Sequence, residues 1–129
     1  MSGYLLDTNA ALFALGAPER LSPAARAAIL EGPNLLSVVS FWEVLLKSMK
    51  GKLEVGDPRA WWKDALDQLA ATPLLIRPEH IARVYSLPPH HQDPFDRVLI
   101  AQALEEGLTL VSTCEVIPRY AEAGLRSIG

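Results

Sequence analysis

An α/β fold with a parallel central sheet and helices on both faces is predicted by three observations. Short leucine-rich or β-branched runs alternate with helical patterns along the whole chain. The stretches between successive runs are long enough for crossovers, which parallel strands require. Acidic residues recur where strands give way to helices, at Asp7, Glu43, Asp96 and Glu115. Ligands of such sheets bind beyond the carboxyl ends of the strands.

The elements follow in order. Residues 3–6 read as a short buried strand stopping at Asp7, and the apolar run 10–15 as a helix opening near Thr8-Asn9. Ser22-Pro23 is a helix start, with a capping hydroxyl and then proline in the first turn, and Gly32-Pro33 ends that helix. Residues 35–39 have the apolar, β-branched look of an inner strand. Ser40 then caps a helix running through Lys50 to a stop at Gly51.

Asp57-Pro58 opens an amphipathic helix through Trp61, Trp62, Ala65, Leu66 and Leu69, and residues 74–76 form a short strand. Pro78-Glu79 leads a helix that ends before Pro88-Pro89. Asp93-Pro94 starts another, which carries Val98, Leu99, Ala101, Gln102 and Leu104 to Gly107. Residues 108–112 read as strand, 117–123 as helix and 125–128 as a last strand.

At 129 residues the chain is one domain, 1–129, able to bury about two thirds of its unfolded surface. Half of it is apolar and 21% is charged, a globular composition that excludes a disordered chain. A net charge of −3 gives no general basic field, so nucleic acid would have to be met through a local patch or through metal. The single cysteine, Cys114, excludes an internal disulfide and a Cys-rich zinc site, and fits a reducing compartment. No leader pattern and no apolar stretch of membrane-spanning length is present, so a soluble, cytoplasmic protein is expected.

Each acid has a structural reading beside the functional one. Asp7 suits a helix N-cap, and Ser40-x-x-Glu43 has the form of a capping box. Asp93 can cap the helix that carries Asp96, and Glu115 complements a helix dipole. Their joint placement is what points to chemistry. Carboxylates gathered at strand ends repel unless a cation sits among them, and oxygen-only ligands suit Mg²⁺ or Mn²⁺.

The residues also resemble a known family. The matching pieces are Leu5-Leu6-Asp7-Thr8-Asn9, Ser40-x-Trp42-Glu43 with Lys47 and Gly51-Lys52-Leu53, and residues 108–120. The most specific piece is Leu87-Pro88-x-His90-x-x-Asp93-Pro94-Phe95-Asp96-Arg97-x-Leu99-Ile100-Ala101-Gln102-Ala103. In these the chain resembles PIN-domain ribonucleases, and within them the VapC-like toxins of toxin–antitoxin pairs.

The resemblance implies a three-layer α/β/α sandwich around a parallel sheet, with an acidic pocket for Mg²⁺ or Mn²⁺. It further implies RNA hydrolysis, a homodimer, and inhibition by a small antitoxin that enters the pocket. By position, Asp7, Glu43 and Asp96 correspond to the central catalytic and metal-binding acids, and Asp93 to an accessory acid. Thr113 corresponds to the threonine that precedes a fourth acid. Where the family usually has aspartate two residues on, this chain has Glu115. The extra methylene alters coordination of an ion as geometrically strict as Mg²⁺.

Thr8, Asn9 and Thr113 can hydrogen-bond water or phosphate, and Lys47, Lys50, Lys52 and Arg97 are the cationic candidates for an RNA backbone. His90 and His91 beside Asp93 raise the idea of zinc. A closed zinc site needs four ligands and no further histidine lies near, so phosphate contact or loop placement is expected instead. Trp42, Trp61 and Trp62 are expected in the core or at a dimer contact, and Cys114 as a small buried residue. The competing reading is a non-catalytic PIN-like RNA-binding or regulatory module whose metal site has degraded, with Glu115 as its support.

Overall fold

The computed structural model describes residues 2–129. Strands β1 (Tyr4–Leu6), β2 (Asn34–Ser37), β3 (Ala71–Leu74), β4 (Thr109–Val111) and β5 (Arg126–Ile128) form one sheet in the order β3-β2-β1-β4-β5. Every pairing is parallel, with Leu5 opposite Leu35 and Leu110, and Leu6 opposite Leu36 and Val111. The helices are α1 (Thr8–Gly16), α2 (Pro23–Glu31), α3 (Val38–Met49), α4 (Pro58–Gln68), α5 (Pro78–Tyr85) and α6 (Pro94–Glu106). Two tighter 3-10 segments, Pro18–Arg20 and Ile117–Ala123, complete the order.

Successive strand residues point to opposite faces, so each adjacent pair of apolar residues feeds two cores. Leu5, Leu35 and Leu110 pack with Leu99, Ile100, Ile117 and Tyr120 on one face. Leu6, Leu36 and Val111 pack with Ala10, Ala11, Leu21, Ala25, Ala65 and Leu69 on the other. The predicted α/β/α sandwich with a central parallel sheet is the observed fold. Among the described residues no helix is long and apolar enough to cross a membrane.

Most helix signals hold. Ser22 caps α2 by accepting from Ala25 N–H, Asp57 caps α4 from Arg59 N–H, and Gly107 closes α6 at φ 68, where a left-handed backbone favours glycine.

Three boundaries differ from expectation. The strand expected over 35–39 ends at Ser37, and Val38 and Val39 are already helical. Ser37 is the cap, its hydroxyl accepting from Val39 N–H at 3.1 Å. The capping box at Ser40 and Glu43 is therefore corrected: both lie inside α3, because the chain turns from strand to helix with no loop between. The strand expected over 74–76 lies earlier, at Ala71–Leu74. Pro73 is accommodated because β3 is an edge strand, where a missing N–H costs little. Residues 117–123 wind as a 3-10 helix, with N–H groups bonding three residues back, as from Arg119 to Val116.

Candidate active site

β1 lies at the middle of the sheet, and its carboxyl end sets the site. Asp7 extends the pairing by donating its N–H to Val111 O at 3.0 Å, then caps α1 by accepting from Ala10 N–H at 2.7 Å. The side chain is only 5% exposed. Burial pushes its carboxyl above the usual range, the Ser112 hydroxyl and the Ala10 N–H pull it back, and the charge of Glu43 adds to the rise. Capping and site placement thus coexist in one carboxylate.

Glu43 arrives from the neighbouring strand β2 through α3. It is buried, and its Oε1 accepts from the Thr8 hydroxyl at 2.6 Å, while Thr8 also lies 2.9 Å from the Ser40 hydroxyl. Its Oε2 pairs with Lys47 Nζ at 2.7 Å, one turn further along. Thr8 therefore orients Glu43 and is itself buried, while Lys47 serves as that carboxylate's counter-ion. The Lys47 ammonium is held above its usual range, first by Glu43 and further by the charges of Asp93 and Asp96. Lys50 and Lys52 are exposed beyond it.

The third contribution comes from α6. Asp93 caps it, accepting from Phe95 N–H at 2.8 Å and Asp96 N–H at 3.1 Å. That leaves Asp96 in the first turn, where its Oδ2 meets His91 Nε2 at 2.8 Å. The Asp96 carboxyl is pushed up to about 6, by burial first, then by Asp93, Asp7 and Glu43, with His91 opposing. Four carboxylates from three different segments therefore feel one another. His91 is the site residue that sequence reasoning placed only in a loop. The visible signal was its position two residues before the capping Asp93.

Other candidates fall outside this cluster. Arg97 does not face it: its guanidinium donates to the backbone carbonyls of Pro88, His91, Val84 and Leu87 at 3.1–3.5 Å. The expected phosphate contact is corrected to a clamp on the loop before α6. Glu115 is exposed and is not among the charges acting on Asp7 or Asp96. Asn9 and Thr113 are exposed. Trp62 stacks on Phe41, and Trp61 joins it against the core, whereas Trp42 is 55% exposed and meets Phe95 edge-on.

Among the described residues, no three acids, histidines or cysteine close into a ready-made ligand shell. Glu43 and Asp96 are drawn instead to Lys47 and His91. The donor chemistry nevertheless fits a hard divalent cation: the groups are carboxylates, and after burial their charges are what raises the Asp96 carboxyl.

A parallel α/β/α sandwich with repelling carboxylates beyond the carboxyl ends of its central strands defines the class. The chain belongs to the PIN-domain family, whose profile matches residues 4–122. It is 31% identical over 114 residues, 87% of each chain, to Ribonuclease VapC22 of Mycobacterium tuberculosis. Two solved structures share the fold. VapBC2 of Rickettsia felis, bound to a DNA fragment from its promoter, aligns over 99% of this chain and 98% of its own, with a TM-score of 0.67 at 14% identity. FitAcB of Neisseria gonorrhoeae aligns over 98% of this chain and 96% of its own, with a TM-score of 0.61 at 20% identity.

Proposed function

We propose that this protein is a divalent-metal ribonuclease and the toxin of a toxin–antitoxin pair. The observation that carries the reading is the gathering of Asp7, Glu43, Asp93 and Asp96, close enough for the other three charges to act on Asp96, with Lys47 paired to Glu43. The ribonuclease name of the mycobacterial relative and the fold shared with a toxin–antitoxin complex from Klebsiella pneumoniae support it.

Asp7, Glu43, Asp93 and Asp96 would hold Mg²⁺ or Mn²⁺, and the bound ion would acidify water and offset phosphate charge during hydrolysis. Glu43, oriented by Thr8, is placed to accept a proton from attacking water, and Lys47 pairs with its other oxygen. Asn9, Thr113, Lys50 and Lys52 form the exposed rim for the RNA backbone. Trp42 and Met49, 55% and 74% exposed on α3, offer apolar anchorage for an antitoxin segment near the pocket. Ile81 and Tyr85, one turn apart and exposed on α5, offer a face to a second copy.

The test is cleavage of several RNAs by the purified protein with Mg²⁺ or Mn²⁺. Activity that chelator abolishes and that Glu43→Gln lowers by about 10²-fold or more is expected. A folded, partner-free protein that cleaves nothing with either ion would favour the non-catalytic module. Glu115→Gln should change kcat/KM by less than about threefold, because this carboxylate is exposed where Asp7 and Glu43 are buried. A loss as large as that of Glu43→Gln would return Glu115 to the metal shell.

A further inference from the structure

We propose that His91 is a positioning residue for the metal site, holding the Asp96 carboxylate in one orientation through a hydrogen bond from its ring Nε2. The inference rests on the metal-dependent reading above and adds a residue to it. Three contacts fix the ring. Its backbone N–H donates to the Tyr120 hydroxyl at 2.9 Å, and Tyr120 is fully buried and donates in turn to Pro88 O at 2.8 Å. The ring Nδ1 faces the Asp93 N–H at 3.4 Å, a long contact in which the nitrogen acts as acceptor.

Nε2 carries a proton both in the tautomer that leaves Nδ1 to accept and in the imidazolium, so it is the donor to Asp96 in either form. Nε2 lies 2.8 Å from Asp96 Oδ2 and 3.7 Å from Cys114 Sγ. The N–H therefore donates to Oδ2, and Oδ1 is the oxygen left for an ion. The same loop residue is thus tied to the core through Tyr120, to the α6 cap through Asp93, and to the site through Asp96. Groups hydrogen-bonded to a metal-ligating side chain commonly contribute 10–100-fold in metal affinity.

Amide replacements separate this role from bulk packing. A glutamine can bring its side-chain nitrogen to where Nε2 sits, whereas an asparagine reaches only as far as Nδ1. Calorimetric titration of Mn²⁺ into wild type, His91→Ala, His91→Asn and His91→Gln is the measurement, with melting temperatures in chelator as the control for folding. Weakening of Mn²⁺ binding by 10–100-fold in the alanine and asparagine variants is expected, with glutamine within about threefold of wild type. RNA cleavage should fall in the same order, with KM for RNA little changed.

Wild-type Mn²⁺ affinity in His91→Asn and His91→Ala would overturn the positioning role and leave the metal reading intact. A glutamine variant as weak as alanine would also overturn it, since the imidazole itself would then be required. Wild-type protein that takes up no Mn²⁺ overturns both readings.

Discussion

Asp96→Asn should abolish metal-dependent cleavage, by about 10³-fold or more, and at the same time stabilise the metal-free protein at neutral pH. The first effect follows from removing a charged ligand from the centre of the site, a loss of about 4 kcal/mol in transition-state stabilisation. The second follows from electrostatics. Asp96 is held at about 6 against an ordinary 3.8, chiefly by burial and by three neighbouring carboxylates. Its ionised form is therefore disfavoured in the folded protein and not in the unfolded chain.

The sign is that of a raised acid. Between about pH 4 and 6 the native state binds more protons than the unfolded state, so wild-type stability falls as pH rises through that window. Above 6 the penalty is fully present, on the order of 1–3 kcal/mol. Asparagine removes it while keeping an oxygen to accept from His91. The variant should melt a few degrees above wild type at pH 8 in chelator, with the gap closing toward pH 4. Mn²⁺ should raise the melting temperature of wild type and not that of the variant. A variant that melts below wild type at pH 8 would contradict the electrostatic account.

The same comparison shows why some of the site was legible in the sequence and some was not. Asp7 was visible because a capping residue at a strand end is also a residue at the rim of the sheet. Asp93 and Asp96, the latter expected at a strand end, open α6 after a loop from α5 and were visible through their motif. The structural reading set against Glu43 falls away, since the capping box at Ser40 does not exist and Ser37 already caps α3. What places Glu43 is helical phase, which carries it back over β1 to the Thr8 hydroxyl. Sequence patterns give that phase only once the helix start is known, and Val38-Val39 disguised the start as strand. His91 was hidden for another reason. Its place before the capping Asp93 was visible, but its role is made by tertiary contacts to Tyr120 and Asp96, one of them 29 residues away.

Arg97 is the opposite case, a residue whose local motif invited a phosphate-binding role and whose partners are structural. Arg97→Ala should destabilise the fold by about 3–4 kcal/mol. Its two terminal nitrogens serve four carbonyls, of Val84, Leu87, Pro88 and His91. Hydrogen bonds from a charged donor contribute about 1.5–3 kcal/mol each when well formed, and partly buried carbonyls left without donors add a desolvation cost. The longer contacts, at 3.3 and 3.5 Å, keep the total below the sum of four strong bonds. Arg97→Lys should recover less than half of the loss, because one ammonium cannot span the fork that the guanidinium fills.

Urea unfolding in chelator checks this directly. A stability loss of the expected size, with residual activity falling at least in proportion to the folded fraction, fits a clamp that holds the 84–91 segment against α6. Unchanged stability with a raised KM for RNA would instead restore the phosphate contact that the motif invites. The clamp also carries the site: the segment it secures ends in His91, so loosening Arg97 should weaken Mn²⁺ binding even in the molecules that remain folded.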